Sequence, residues 1–128
     1  MSLEDIEAIR RLTASYNRAF DESRHEDWAN HFTDDGYFER SNAGQSYTGR
    51  AAIAELGRSY PVRGWHVTSE HIIDVDGDGD TAHQSCYLMF LDRDQGFAVN
   101  LFGVYSDDLV KVNGEWLFKR RLLKVDEG

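Results

Sequence analysis

The stretch FAVNLFGVYSDDLVKVNGEWLFKRRLLKV, residues 97–125, decides the fold. Phe97 to Val112 and Glu115 to Val125 are rich in β-branched and aromatic residues, and they flank Asn113-Gly114. That dipeptide accepts the positive φ angles of a tight hairpin turn, so the two runs read as antiparallel partners. Immediately upstream, Val67 to Val75 and Thr81 to Leu91 repeat the pattern around Asp76-Gly77-Asp78-Gly79-Asp80. Two successive hairpins make a long antiparallel meander.

The alternating aspartates of the first turn superficially resemble a calcium loop. An EF-hand loop needs a bidentate glutamate at its twelfth position and helices on both sides. Counted from Asp76, that position is Tyr87, and both flanks are strands. A solvated turn is the better reading. Phosphate-loop, dinucleotide, zinc and serine-nucleophile motifs are absent, and neither a metal nor a cofactor is expected.

Helices precede the meander. Ile6, Ile9, Leu12 or Thr13, Tyr16 and Phe20 recur every three to four residues with charges between them, which is an amphipathic helix running to about Phe20. Asp21 stands at its C-terminal end, where the helix dipole disfavours a carboxylate. A short helix fits Glu26 to Phe32, with Trp28 and Phe32 on one face. Thr33-Asp34-Asp35-Gly36 reads as a turn, Tyr37 to Glu39 and the Tyr47-Thr48 region as short strands, and Gly49 to Leu56 as a third helix stopped near Gly57 and by Pro61. Helices followed by a meander define the α+β class, with the helices on one face of the sheet.

A chain of 128 residues suits one domain, residues 1–128, with one core. No apolar run approaches the roughly 20 residues that span a bilayer. Leu3 to Leu12 is broken by Glu4, Asp5, Glu7, Arg10 and Arg11 and does not form a leader. Cys86 is the only cysteine, so no intramolecular disulfide is possible, and its apolar neighbours Tyr87 to Leu91 make it a core residue. A soluble, cytoplasmic protein without a membrane partner is expected. The formal charge of −9, from 23 acidic and 14 basic side chains, argues against a nucleic-acid partner. An anionic substrate would need a local cation. The clustered candidates are Lys119, Arg120 and Arg121, where strand alternation puts Arg120 and Arg121 on opposite faces.

Tyr16-Asn17-Arg18-Ala19-Phe20-Asp21, Asp27-Trp28, Phe32-Thr33-Asp34-Asp35 and Tyr47-Thr48-Gly49-Arg50 with Ile53 resemble the N-terminal half of SnoaL-like proteins of the nuclear-transport-factor-2-like superfamily. Trp65-His66-Val67-Thr68, Asp76-Gly77-Asp78 with Ala82, Gly103 to Asp107, Asn113 to Trp116 and Arg120-Arg121 continue the resemblance in the family's order. It implies a cone-shaped α+β barrel: a curved antiparallel sheet closed by N-terminal helices around a pocket. It also implies a homodimer formed through the sheet. Within the family, scytalone dehydratase and hexachlorocyclohexane dehydrochlorinase look nearest, since both place a catalytic aspartate at Asp21 and a histidine at His66. The dehydrochlorinase's pocket arginine falls on Arg121, whereas its pocket lysine falls on Tyr16. The second histidine of scytalone dehydratase has His83 as its nearest counterpart. An asparagine common in the family is replaced here by Glu70.

Asp21, His66 and Arg121 are therefore the candidate catalytic residues. Histidine accepts a proton near neutrality, and a carboxylate on its other nitrogen fixes the tautomer. The plain alternative for His66 is a packed or solvated strand-end histidine. By alternation Glu70, Thr68 and Ile72 share the His66 face while His71 has opposite parity; His25 and His31 are expected at the surface. Tyr16 and Tyr105 could polarise a substrate carbonyl, and Trp28, Trp65, Phe90, Leu101 and Phe102 are expected as walls or adjoining core. Two functions follow. One is a cofactor-independent lyase or isomerase, dehydratase-like or cyclase-like, acting on a small, largely apolar molecule. The other is a non-catalytic ligand-binding or assembly module with the same fold.

Overall fold

The computed structural model describes residues 2–127. Its elements are α1 (Leu3–Asp21), α2 (His25–Ala29), β1 (Phe32–Arg40), β2 (Gln45–Thr48), α3 (Arg50–Ser59), β3 (Gly64–Val75), β4 (Thr81–Asp92), a 3-10 turn (Arg93–Gln95), β5 (Ala98–Val112) and β6 (Glu115–Val125). The strands form one curved, unclosed sheet in the order β2-β1-β6-β5-β4-β3. Every pairing is antiparallel except β1 with β6. The fold is the α+β cone expected, with the helices packed on the inner face of the sheet.

The turns form where local chemistry demands them. Asn113 and Gly114 take φ of 52° and 81° between β5 and β6, as the twist of a two-residue hairpin requires. In the acidic turn, Asp78 Oδ1 accepts hydrogen bonds from the backbone N–H of Asp80 and Thr81 at 2.9 and 3.1 Å. At the start of α1, Ser2 Oγ accepts from the N–H groups of Glu4 and Asp5, satisfying donors that a helix leaves open. The helix buries Ile9, Thr13, Tyr16, Asn17 and Ala19, so Thr13 and not Leu12 belongs to the buried stripe. No helix among the described residues is long and apolar enough to cross a membrane.

Three local readings change. The second helix ends at Ala29, and Phe32 opens β1 instead. Thr33 to Gly36 is a wide bulge inside that strand: pairing with β6 jumps from Phe32–Phe118 to Tyr37–Arg120. Gly57 does not stop α3, which runs on to Ser59. A Cβ there would lie 3.1 Å from both the Trp28 ring and His25 Nδ1, so this glycine serves the close packing of α3 on α2.

A bulge in β3 has the larger consequence. Pairing with β4 shifts between Ser69 and Ile72, and Glu70 takes a φ of 55°. One extra residue reverses the facing of everything beyond it. Glu70 and Ile72 therefore leave the inner face, while His71, Ile73 and Val75 join it.

Candidate active site

Asp21 ends α1 and His66 opens β3, and the two meet. Asp21 Oδ1 is 2.7 Å from His66 Nδ1, and the His66 backbone N–H lies 3.1 and 3.0 Å from the two carboxylate oxygens. Gly64 permits the close approach of β3 to β4 just before His66, because a Cβ there would sit 1.7 Å from the Leu91 carbonyl oxygen. Asn17 Nδ2 donates to Thr68 Oγ1 at 3.1 Å, tying the same helix to the same strand. The Asp21 and His66 side chains are 13 % and 8 % exposed, so their hydrogen bond is shielded from water.

Nδ1–H donates a hydrogen bond to the carboxylate, which leaves Nε2 as the lone-pair nitrogen. Nε2 has no hydrogen-bond partner among the described residues. Burial pushes the His66 pKa below its usual 6.5, although the hydrogen bond and charge of Asp21 pull the other way and Arg121 adds to the lowering. The imidazole is thus neutral at pH 7, the form a general base requires.

His66 forms part of the wall of a narrow cavity that is partly open to solvent. Tyr16, Phe20 and Trp28 of the helices face Phe90, Leu101 and Tyr105 of the sheet across it. The His66 ring is held between Phe20 and Phe90, with centroids 4.8 and 4.7 Å away. Burial raises the Tyr16 pKa and raises that of Tyr105 well above the normal phenol value, so both hydroxyls keep their protons and can donate. Of the expected wall residues, Trp28, Phe90 and Leu101 line this space, together with Tyr16 and Tyr105. The inner end of β1 and the end of α3 add Phe38, Arg40, Leu56 and Tyr60, which were not foreseen.

Other expected residues lie elsewhere. Trp65 adjoins His66 on a strand and so points to the opposite face, where it is 51 % exposed and its ring lies 5.5 Å from that of Phe97. Phe102 also faces outward. His83 is on the outer face, with Nδ1 2.7 Å from Asp108. His71, carried inward by the bulge, reaches Gln84 Oε1 at 3.0 Å. His31 is half-buried, bonded to the Asp27 carbonyl at 2.7 Å and to Ser15 Oγ at 2.8 Å.

Arg121 is fully buried but lies behind the cavity wall and does not line it. Its Nε is 3.0 Å from Asp107 Oδ1, and its guanidinium lies 4.4 Å from the ring of Tyr16 and 3.4 Å from that of Tyr105. Gln84 Nε2 donates to both Thr13 Oγ1 and Asp107 Oδ2 at 3.0 Å. Burial pushes the Asp107 carboxyl up to about 6, against the opposing pull of Arg121 and Gln84.

A family model for the SnoaL-like domain matches residues 1–122. The chain belongs to the SnoaL-like domain family. Solved structures share the fold, and some of them are described as cystatin-like. A Mycobacterium tuberculosis protein of unknown function is 31 % identical, with 95 % of this chain and 72 % of that one covered and a TM-score of 0.87. A Novosphingobium aromaticivorans protein described as nuclear-transport-factor-2-like with a cystatin-like fold is 25 % identical, with 98 % and 84 % covered and a TM-score of 0.88. A scytalone dehydratase candidate from the same organism is 25 % identical, with 97 % and 85 % covered and a TM-score of 0.81. Among curated proteins none matches.

Proposed function

We propose that this SnoaL-like protein is a lyase or isomerase of a small, largely apolar organic molecule, with His66 as general base. The observation that carries the reading is the shielded Asp21–His66 hydrogen bond at 2.7 Å, with the unpartnered Nε2 on a ring that lines the cavity. His66 takes a proton from a carbon beside a carbonyl, and the C–H electron pair moves to form an enolate. The enolate then expels a leaving group from the neighbouring carbon or is reprotonated elsewhere. Tyr16 and Tyr105 donate to the developing oxyanion. Asp21 is a positioning residue that holds the tautomer and stabilises the imidazolium. Arg121 acts through the two tyrosines, as a fixed positive charge behind them. Membership of the SnoaL-like family and similarity to a scytalone dehydratase candidate support the reaction class.

The test is solvent-deuterium exchange at the acidic C–H of cyclic ketones, followed by NMR with wild type and a folded His66→Ala variant. Exchange catalysed by wild type and lost in the variant is expected; equal rates would overturn the assignment. The same reading includes a homodimer through the outer face of the sheet. Trp65, Val67, Tyr87, Val99 and Phe102 expose apolar surface there, between 40 % and 53 % of each residue. Apolar exposure clustered on one face is the mark of an interface.

A further inference from the structure

A chain of charge −9 needs a local cation to take an anionic substrate, and Arg120 and Arg121 are both committed elsewhere. Arg120 stacks on Tyr37 at the outer face, and Arg121 is sealed against Asp107. Arg40 is different. It is the last inward-facing residue of β1, sharing parity with the buried Phe38, and it lines the cavity. Its Nε is buried without a hydrogen-bond partner, and among the described residues it pairs with no carboxylate. The guanidinium carbon lies 5.0 Å from the centre of the Tyr60 ring, with one terminal nitrogen 3.5 Å from the Tyr60 hydroxyl. A buried donor on a fixed charge is costly unless a ligand completes it.

Arg40 also stands at a boundary. It, Tyr60 and Leu101 belong both to the cavity and to an outer depression edged by Asn42, Asn100, Asp126 and Glu127. Inward, the Tyr60 ring touches those of Phe20 and Phe90, at 6.0 and 6.1 Å, and both of these flank His66. An aromatic layer thus separates a base at one end of the cavity from a half-buried cation at its mouth.

Resting on the proposed proton-transfer site, we infer that Arg40 and Tyr60 form an anion-recognition site at the cavity mouth. The substrate class is then a small cyclic molecule with an apolar body and one carboxylate. The body packs on Phe20 and Phe90 beside His66, and the carboxylate bonds the Arg40 guanidinium and the Tyr60 hydroxyl. Arg40 is a specificity residue that acts at a distance from the reacting carbon.

The test uses 2-naphthoate and its neutral isostere 2-naphthamide, titrated calorimetrically into wild type, Arg40→Met, Arg40→Lys and His66→Ala. Wild type should prefer the carboxylate by about tenfold or more, the worth of a charge-assisted hydrogen bond. Arg40→Met should lose that preference with amide binding unchanged, Arg40→Lys should keep part of it, and His66→Ala should keep it in full. The Arg40 Nε–H NMR signal of wild type should shift with naphthoate and not with naphthamide, which tests the contact even if Arg40→Met fails to fold. Equal affinities in wild type, absence of binding by both probes, or an unchanged preference in Arg40→Met would overturn the site. Failure of the base assignment reads out separately, as exchange activity surviving in His66→Ala.

Discussion

Asp21 and Asp107 each sit beside a nitrogen group, the first hydrogen-bonded to His66 Nδ1 at 2.7 Å and the second ion-paired with Arg121 Nε at 3.0 Å. The first pair joins α1 to β3 across 45 residues, the second joins facing positions of the β5–β6 hairpin, and both are shielded from water. The difference lies in what the nitrogen group does with its far side. The imidazole has a second nitrogen on a ring that lines a cavity, and it can exist neutral or charged. The guanidinium is fixed in charge, enclosed by Tyr16, Tyr105 and Phe118, and has no free route to a substrate. Burial alone therefore does not distinguish a reactive pair from a structural one; access and a titratable base do.

Removing the base breaks the comparison most sharply. His66→Ala should lower turnover by about 10²–10⁴-fold, the usual contribution of general base catalysis, with an unchanged circular dichroism spectrum. Next in size, Asp107→Ala should cost about 3–5 kcal/mol of stability, because it strands a buried charge, and urea unfolding would show it. The double variant Asp107→Ala, Arg121→Met should be less destabilised than the aspartate variant alone. Equal losses would mean that the pair itself, and not the stranded charge, carries the energy.

Asp21→Asn comes third, with turnover falling about 10–100-fold for the loss of one charge-assisted hydrogen bond. The His66 pKa should fall further below 6.5, since Asp21 is what raises it against burial. Imidazole chemical shifts over a pH series would check this. A rise would mean that the carboxylate does not act on His66.

The element order and both hairpins were legible because turn chemistry is local: Asn113-Gly114 needs no tertiary context. Asp21 and His66 were legible through family resemblance, and the helix-end and strand-start positions made their meeting plausible. Trp65 was misplaced although strand alternation alone forbids it to share a face with its neighbour His66. Arg40 was readable in the same way, from its parity with Phe38, but no motif drew attention to it. The bulge at Glu70 was not legible. It inserts a single residue without glycine, and every facing after it depends on that register.

The smallest expected effect is the response of wild-type stability to mild acid, because the two pairs oppose each other. His66 has a folded pKa below its ordinary 6.5. The unfolded chain therefore binds the proton more readily, and the contribution of His66, full above pH 6.5, is lost as pH falls through the folded value. Asp107 has a folded pKa raised from 3.8 to about 6. Here the folded state binds the proton more readily, so stability is gained as pH falls from about 6 toward 3.8 and lost on the way back up. Wild type should thus show a shallow profile between pH 6.5 and 4 where each single variant shows a slope. Relative to wild type, His66→Gln should gain stability as pH falls through that window and Asp107→Asn should lose it, with His31, whose pKa burial also lowers, a background common to all three proteins. Melting temperatures at half-unit pH intervals would separate the two, and parallel profiles in the variants would show that the two pairs are not the groups that titrate.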